Sequence, residues 1–374
     1  MKRSVRVLTV VTAILAMAML LSSSLAGAAG SERQADPAAA AGGVTSRQAS
    51  AAEQAAAGQW TSAARLAAKP LDVAGVTPEQ MAEALALMNA AAAPAGLPGY
   101  IPGGAPGAGA DEAAAAGFPA LTGAAAEAAI EGASIAPAGT AGVYTSFTGN
   151  KYAEMWKKYP YRAIGKLFFS AGYCSASVIG DNVIVTAAHC VYDTATNTWY
   201  NNFSFCPAHK NGACPYGSFP YTQVWIPTNY INAPNFSGAL RWDVAIVILS
   251  TPGGKSVDNV VGWLGRSWNF DYTQLITTIG YPAAKDSGKF SYVCIAETFA
   301  AGTDVMEMGC DSGPGHSGGP WIKNYKPNIT GAVNYVNNVM SYYYTGGTKA
   351  GNTMGAARFS SDNIVILCNA VPNC

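Results

Sequence analysis

The sequence predicts an all-β domain, a sandwich or barrel, over residues 143–374, preceded by a region without the means to build a core of its own. Three observations carry this. From residue 143 onward, short runs rich in β-branched and aromatic residues alternate with Gly, Pro, Asn and Asp clusters, the pattern of strands joined by tight turns. Of 39 aromatic residues only Trp60, Tyr100 and Phe118 precede residue 143. All eight Cys lie at or beyond position 174 and all three His at or beyond 189, so the chemistry sits in the same region.

Taken in order, residues 1–28 read as an export signal. Lys2, Arg3 and Arg6 precede an apolar stretch at 7–21, and small residues offer cleavage after Ala26 or Ala28. The stretch is short of the roughly 20 residues that span a bilayer. Residues 29–142 are rich in Ala, Gly and Pro and poor in large apolar side chains, so ordering entropy outweighs what they bury by themselves. We expect a largely disordered or partly helical pro-segment, with helices over 59–69 and 78–93. Thr77 caps the second, with Pro78 at its first position and Glu79 and Glu83 in its early turns. A Gly/Pro linker is expected over 94–110. Strands are expected at 163–169, 174–179, 183–186, 221–226, 244–249, 275–280, 291–296 and 329–336, and a short helix at 363–367 capped by Ser361 or Asp362.

The 22 basic and 22 acidic side chains balance, which argues against a nucleic-acid or acidic-lipid partner, since both need a broad basic face. Eight Cys in an exported domain read as disulfides. They allow 105 pairings, and a nearest-neighbour scheme would join Cys174 to Cys190, Cys206 to Cys214, Cys294 to Cys310 and Cys368 to Cys374. The spacing of Cys206, His209 and Cys214 faintly suggests a zinc knuckle, but no fourth ligand is near, so neither metal nor cofactor is expected.

The sharpest string runs from Cys310 to Pro320, with Ser317 among glycines. A nucleophilic hydroxyl must stand clear of its backbone, and N–H groups must point at the oxygen that becomes negative in acyl transfer. Gly315-His316-Ser317-Gly318-Gly319 also satisfies the elbow of α/β-hydrolases, but that fold needs a histidine after the serine, and none follows. Of the possible bases, His209 reads as a surface residue between two Cys, and His316 adjoins the serine with its side chain turned away. His189 ends an apolar strand, with Cys190 to pin it. Asp243 opens an apolar run that draws its carboxylate inward, where it needs a partner. Its rival, Asp193, lies in a polar loop four residues past His189.

His189 in Thr-Ala-Ala-His-Cys, Asp243 in Asp-Val-Ala-Ile-Val-Ile-Leu and Ser317 in Gly-His-Ser-Gly-Gly-Pro resemble, in this order, the catalytic strings of chymotrypsin-like serine proteases. The stretch from Tyr159 to Leu167 leans toward the bacterial branch of V8-like glutamyl endopeptidases. The resemblance covers about 145–374. It implies two antiparallel six-stranded β-barrels with the site between them, a Ser317–His189–Asp243 triad, an oxyanion hole from the N–H groups of Gly315 and Ser317, and a Cys174–Cys190 bridge.

The implied function is a secreted serine endopeptidase: a monomer acting on proteins or peptides, free of membrane once its signal is cleaved, and matured from a zymogen. The alternative is a catalytically silent homologue acting as a secreted binding module. His316 stands where many animal relatives place the Asp that pairs with a new N-terminus, so removal of the pro-segment is expected to act by unmasking the cleft. Asp311, Ser312 and Val333 are the candidate substrate-binding residues. Asp311 sits where trypsin-like members hold the acid that binds Lys or Arg, and Val333 near where glutamate-specific members place a histidine. No Lys or Arg occurs between Lys69 and Lys151, so an enzyme cutting only after basic residues could not release itself near 140–146.

Overall fold

Short elements come first along the chain: β1 (Val44–Gln48), α1 (Ala51–Ala57), α2 (Ser62–Ala67), β2 (Gly75–Val76), α3 (Pro78–Asn89), β3 (Gly99–Ile101) and β4 (Thr145–Thr148). The computed structural model describes residues 43–89, 96–107, 139–149 and 154–374. The expected signal at 1–28 lies outside the described residues.

Six strands then close on themselves. They are β5 (Ile164–Phe169), β6 (Gly172–Gly180), β7 (Val183–Thr186), and, after a small hairpin of β8 (Tyr192–Asp193) and β9 (Thr198–Trp199), β10 (Ser204–Pro207), β11 (Phe219–Pro227) and β12 (Ala245–Leu249). The order β11-β10-β5-β6-β7-β12 returns to β11 through the β11–β12 pairing, and every pair is antiparallel. The helical turns α4 (Thr228–Asn232) and α5 (Phe236–Ala239) join β11 to β12. Every residue of β5, β6 and β7 is buried, which is why these strands read as apolar runs and not as alternating patterns. Asn182 turns the β6–β7 hairpin with φ +55°, a left-handed conformation Asn tolerates.

A second closed six follows α6 (Val257–Val261) and β13 (Gly265–Trp268). It comprises β14 (Leu275–Gly280), β15 (Tyr292–Gly302), β16 (Val305–Gly309), β17 (Pro320–Lys323), β18 (Tyr335–Tyr344) and β19 (Thr353–Arg358). Their order is β17-β14-β15-β16-β19-β18, closed by β17–β18, again antiparallel throughout. The chain ends in α7 (Ile366–Ala370), and four disulfides join the Cys in the nearest-neighbour scheme.

The described parts of the N-terminal segment pack on the barrels. β1 pairs with β11, β3 with β13, and β2 runs parallel to β18. Trp60 stacks against Phe168 at 5.2 Å, and Arg65 Nε donates to Gly212 O at 2.8 Å. The segment thus gains from the barrels the apolar surface its own composition lacks. α3 starts as the sequence predicts, with Thr77 Oγ1 accepting from Gln80 N. The expected helix over 59–69 is shorter, because Thr61 caps it from Ala64 N.

Three expectations are corrected. The 94–110 linker contains β3, because Gly99 and its neighbours complete a strand pair with β13. The expected helix over 363–367 is a helical turn, Ser361–Val365, that leads into α7, and its cap is Ser360, whose hydroxyl accepts from Asp362 N while Asn363 Oδ1 accepts from Ser360 N. The run 329–336 is mostly loop. The Asn334 side chain accepts from Lys326 N and donates to Lys326 O and Ile329 O, all at 2.8 Å, and Asn334 and Gly331 take φ of +58° and +93°. These left-handed residues break the strand that the apolar pattern suggests.

Asn334→Ala is expected to lower unfolding free energy by about 2–3 kcal/mol in urea titrations, from lost buried hydrogen bonds plus left-handed strain. Asn334→Gly, which removes only the bonds, should recover about 1 kcal/mol of that.

Candidate active site

Asp243 follows the turn Leu240–Trp242 and leads into β12; it is wholly buried. Oδ1 accepts from His189 N at 2.8 Å, while Oδ2 accepts from His189 Nδ1 at 2.7 Å and from Ser341 Oγ at 2.5 Å. A carboxylate out of water needs such donors in place of its lost solvation. The bond to Nδ1 fixes the tautomer in which Nε2 carries a lone pair. His189 itself sits in the turn Ala188–Cys190 just past β7, pinned by the Cys174–Cys190 disulfide. The rival Asp193 is used locally, accepting from Ala195 N and Thr196 Oγ1.

The turn carrying Ser317 sits against the end of β7. Ser317 O accepts from Ser175 N at 2.8 Å, and a Cβ on Gly318 would lie 2.0 Å from Thr186 Oγ1 and 3.0 Å from Ala187 N. Gly318 (φ +77°) and Gly315 (φ +91°) are therefore required by both backbone conformation and space. His316, Gly318 and Gly319 donate their N–H groups to Gly313 O, Met340 O and His316 O. Among the described residues nothing accepts from the N–H groups of Gly315 and Ser317, so both donors are available to a developing oxyanion. Ser317 Oγ and His189 Nε2, a hydroxyl and a lone pair, are both buried and have no hydrogen-bond partner among the described residues.

Ser175 and Ser341 were not singled out by sequence. Ser175 N and Oγ hold Ser317 O and Gly315 O, its Oγ also accepts from Tyr281 N, and its carbonyl accepts from Thr186 Oγ1. The available signal was a buried small hydroxyl inside an apolar run: Cys174-Ser175-Ala176 for one, Val339-Met340-Ser341 for the other.

His316 is turned into the core, fully buried, with Nε2 paired to Thr278 Oγ1 at 2.9 Å and Nδ1 to Ser312 Oγ at 2.6 Å. Burial holds its pKa down at about 3, so it is a neutral structural ring and not a base. The expectation that His209 lies on the surface is corrected: it is buried, its Nε2 accepts from Gly212 N, and burial first, then Lys166 and Arg65, push its pKa well down.

Of the candidate substrate-binding residues, Asp311 and Ser312 have partners within the protein. Asp311 forms an ion pair with Lys285 and accepts from Tyr292 Oη at 2.7 Å. Burial raises its pKa, yet Lys285 and Tyr292 outweigh this and hold it low. Its charge is already matched within the protein. Ser312 is engaged by His316. Val333 lies in the loop before β18; it is Met340 that backs the nucleophile turn, exchanging main-chain bonds with Gly318 and Gly319. Among the described residues, the two clusters with metal-ligand spacing are Cys174-His189-Cys190 and Cys294-Cys310-Asp311. Both spend their sulfurs on disulfides, a donor set unsuited to a metal.

A family model described as Trypsin matches residues 156–353, more than half of the chain, and the chain belongs to that family. The glutamyl endopeptidase of Bacillus licheniformis is 31% identical over 168 residues, 43% of this chain and 49% of that protein. The extracellular metalloprotease of Bacillus subtilis is 26% identical over 202 residues, 50% of this chain and 60% of that protein. The chain thus spans about half the length of the curated relatives it matches. A solved structure of a Glu endopeptidase in complex with MPD shares the fold, with a TM-score of 0.50 and 22% identity over 62% of this chain and 98% of that one.

The buried histidine gives a pH signature. An unfolded histidine titrates near 6.5, so below that pH the unfolded chain takes up a proton that folded His316 refuses until about 3. Stability present above pH 6.5 is therefore lost on acidification, by about 3 kcal/mol at pH 4 from this group alone. Urea titrations at pH 7 and pH 4 should show that difference shrink by this amount in His316→Gln.

Proposed function

We propose that the chain is a secreted serine endopeptidase. In this reading Ser317 Oγ attacks the scissile carbonyl as His189 Nε2 takes its proton. The N–H groups of Gly315 and Ser317 hold the oxyanion, and His189 returns the proton to the leaving amine. Water then hydrolyses the acyl-enzyme by the same groups. Asp243 acts through His189, holding its tautomer and stabilising the imidazolium, and Ser341 and Ser175 are positioning residues. The observation that carries the reading is the His189–Asp243 bond at 2.7 Å, together with a buried lone pair and a buried hydroxyl left unpaired on adjoining segments.

The ion pair of Asp311 with Lys285 argues against a preference for basic side chains, since a bound Lys or Arg would have to displace an internal cation. Two of the named relatives are glutamyl endopeptidases; this chain offers no histidine after Ser317, which argues against strict glutamate specificity. His316, which stands next to the nucleophile where an acid is common, is buried between Thr278 and Ser312 and leaves Ser317 unobstructed, which argues against the silent-homologue alternative. Export with removal of residues 1–28, and maturation by loss of 29–142, belong to the same proposal. Among the described residues no helix is long and apolar enough to cross a membrane.

Ser317→Ala is expected to abolish fluorophosphonate labelling and to lower peptide hydrolysis by about 10⁴-fold or more, with its melting temperature near wild type. Asp243→Asn should cost a similar factor in kcat through the wrong tautomer. Fluorophosphonate labelling that persists in Ser317→Ala would refute the assignment. Cleavage of a peptide library should show no enrichment of Lys or Arg on the acyl side of the cut.

A further inference from the structure

Residues 69–76 run along both flanks of the candidate site. On one side Lys69 O accepts from Tyr173 N and Leu71 N donates to Tyr173 O, both at 3.0 Å. Tyr173 lies two residues before Ser175, which holds the nucleophile turn. On the other side Ala74 O accepts from Tyr343 N at 3.1 Å and Val76 O from Thr345 N at 2.9 Å, as β2 runs parallel to β18. Tyr343 lies two residues past Ser341, which holds Asp243. From Lys69 to Ala74 the chain therefore crosses from the Ser317 side of the site to the Asp243 side. The Asp72 carboxylate also accepts from Tyr343 Oη.

α3 continues the cover. Met81, Ala84 and Met88 pack with Leu240, Tyr342 and Tyr344, and Phe236 joins the same cluster. The Phe236 ring in turn stands edge-on to the His189 ring at 5.4 Å. Ser317 is fully buried and His189 is 2% exposed, so neither is open to a substrate in the full chain.

We propose that residues 69–88 are an internal inhibitor that holds the main-chain edges and the apolar surface a substrate polypeptide would need, without being cut. This rests on the hydrolase reading above and names the regulation of that site. The segment escapes hydrolysis because it does not present a carbonyl to the reacting groups. Ala74 O and Val76 O face β18, whereas the N–H groups of Gly315 and Ser317 have no acceptor among the described residues. Asp72 and Val73, which bridge the flanks, lie exposed. Gly75 is the tight point of the docking: a Cβ there would lie 2.6 Å from Thr345 Cγ2 and 3.1 Å from Tyr343 Oη.

The test compares intact full-length chains by their rate of fluorophosphonate labelling at equal concentration. Gly75→Val combined with Ala84→Asp should label at least about tenfold faster than wild type, because the competent open form becomes the major one. Leu87→Asp, on the exposed face of α3, should match wild type. A synthetic peptide of residues 68–89 added to the Gly75→Val/Ala84→Asp chain should slow its labelling again. If wild type labels as fast as a folded Gly75→Val/Ala84→Asp chain, the inference is overturned. Failure of every chain to label would instead overturn the hydrolase reading and the inference with it. Should the double variant fail to fold, hydrogen exchange on the wild-type full chain decides. Titrating a peptide aldehyde into it should speed exchange at the Leu71 and Thr345 amides and across α3. An aldehyde that binds while Leu71 and α3 stay protected would refute the inference.

Discussion

The structure turns on one buried carboxyl group, that of Asp243. Asp243 has no water to solvate it and instead takes three donors, two from His189 of the first barrel and one from Ser341 of the second. Removing a partner from such a group leaves a desolvated charge, a change that costs about 3–5 kcal/mol. The carboxylate therefore constrains how the two barrels meet as well as how one imidazole points. A slip at the seam would strand it.

Ser175 plays the matching part on the nucleophile side. Its donor and acceptor groups join the end of β7, the turn at 315–317 and the start of the segment after β14. The site is thus assembled by two small hydroxyls, each in a strand of one barrel and bonded to the other. Small size matters here. Gly318 and Gly315 admit no side chain because the opposing barrel's backbone or rings already fill the space.

Much of the candidate site is legible because each string that supplies a candidate residue is locally peculiar: a serine among glycines, a histidine at a strand end, an acid ahead of an apolar run. The hydroxyls that hold these groups are not, since Ser341 reaches Asp243 across 98 residues and Ser175 reaches Gly315 across 140. Strands followed the same division. β7 announces itself as a Val- and Ile-rich run and β5 through Leu167, Phe168 and Phe169, whereas β16 (Val-Met-Glu-Met-Gly) and β19 (Thr-Met-Gly-Ala-Ala-Arg) carry little β propensity and are strands because the barrel supplies neighbours on both sides. His209 was read as surface from its polar, Cys-flanked loop, and only the packed structure reveals the Phe168 and Tyr281 rings around it. Composition alone gives the N-terminal segment too little apolar surface for a core of its own, and says nothing of a surface elsewhere in the chain that its described parts pair with.

That fit has a kinetic corollary in the covalent connection between β3 and β4, which keeps the docked elements on the same molecule as the barrels. An occupant on the same molecule faces its site at an effective concentration that does not fall when the protein is diluted. Weak intrinsic affinity is then enough for near-complete occupancy. If the segment inhibits as proposed, cutting the connecting chain would leave the same contacts to compete at bulk concentration, and dilution alone would free the cleft. The switch would need no new contact and no change of shape, only the loss of one linkage.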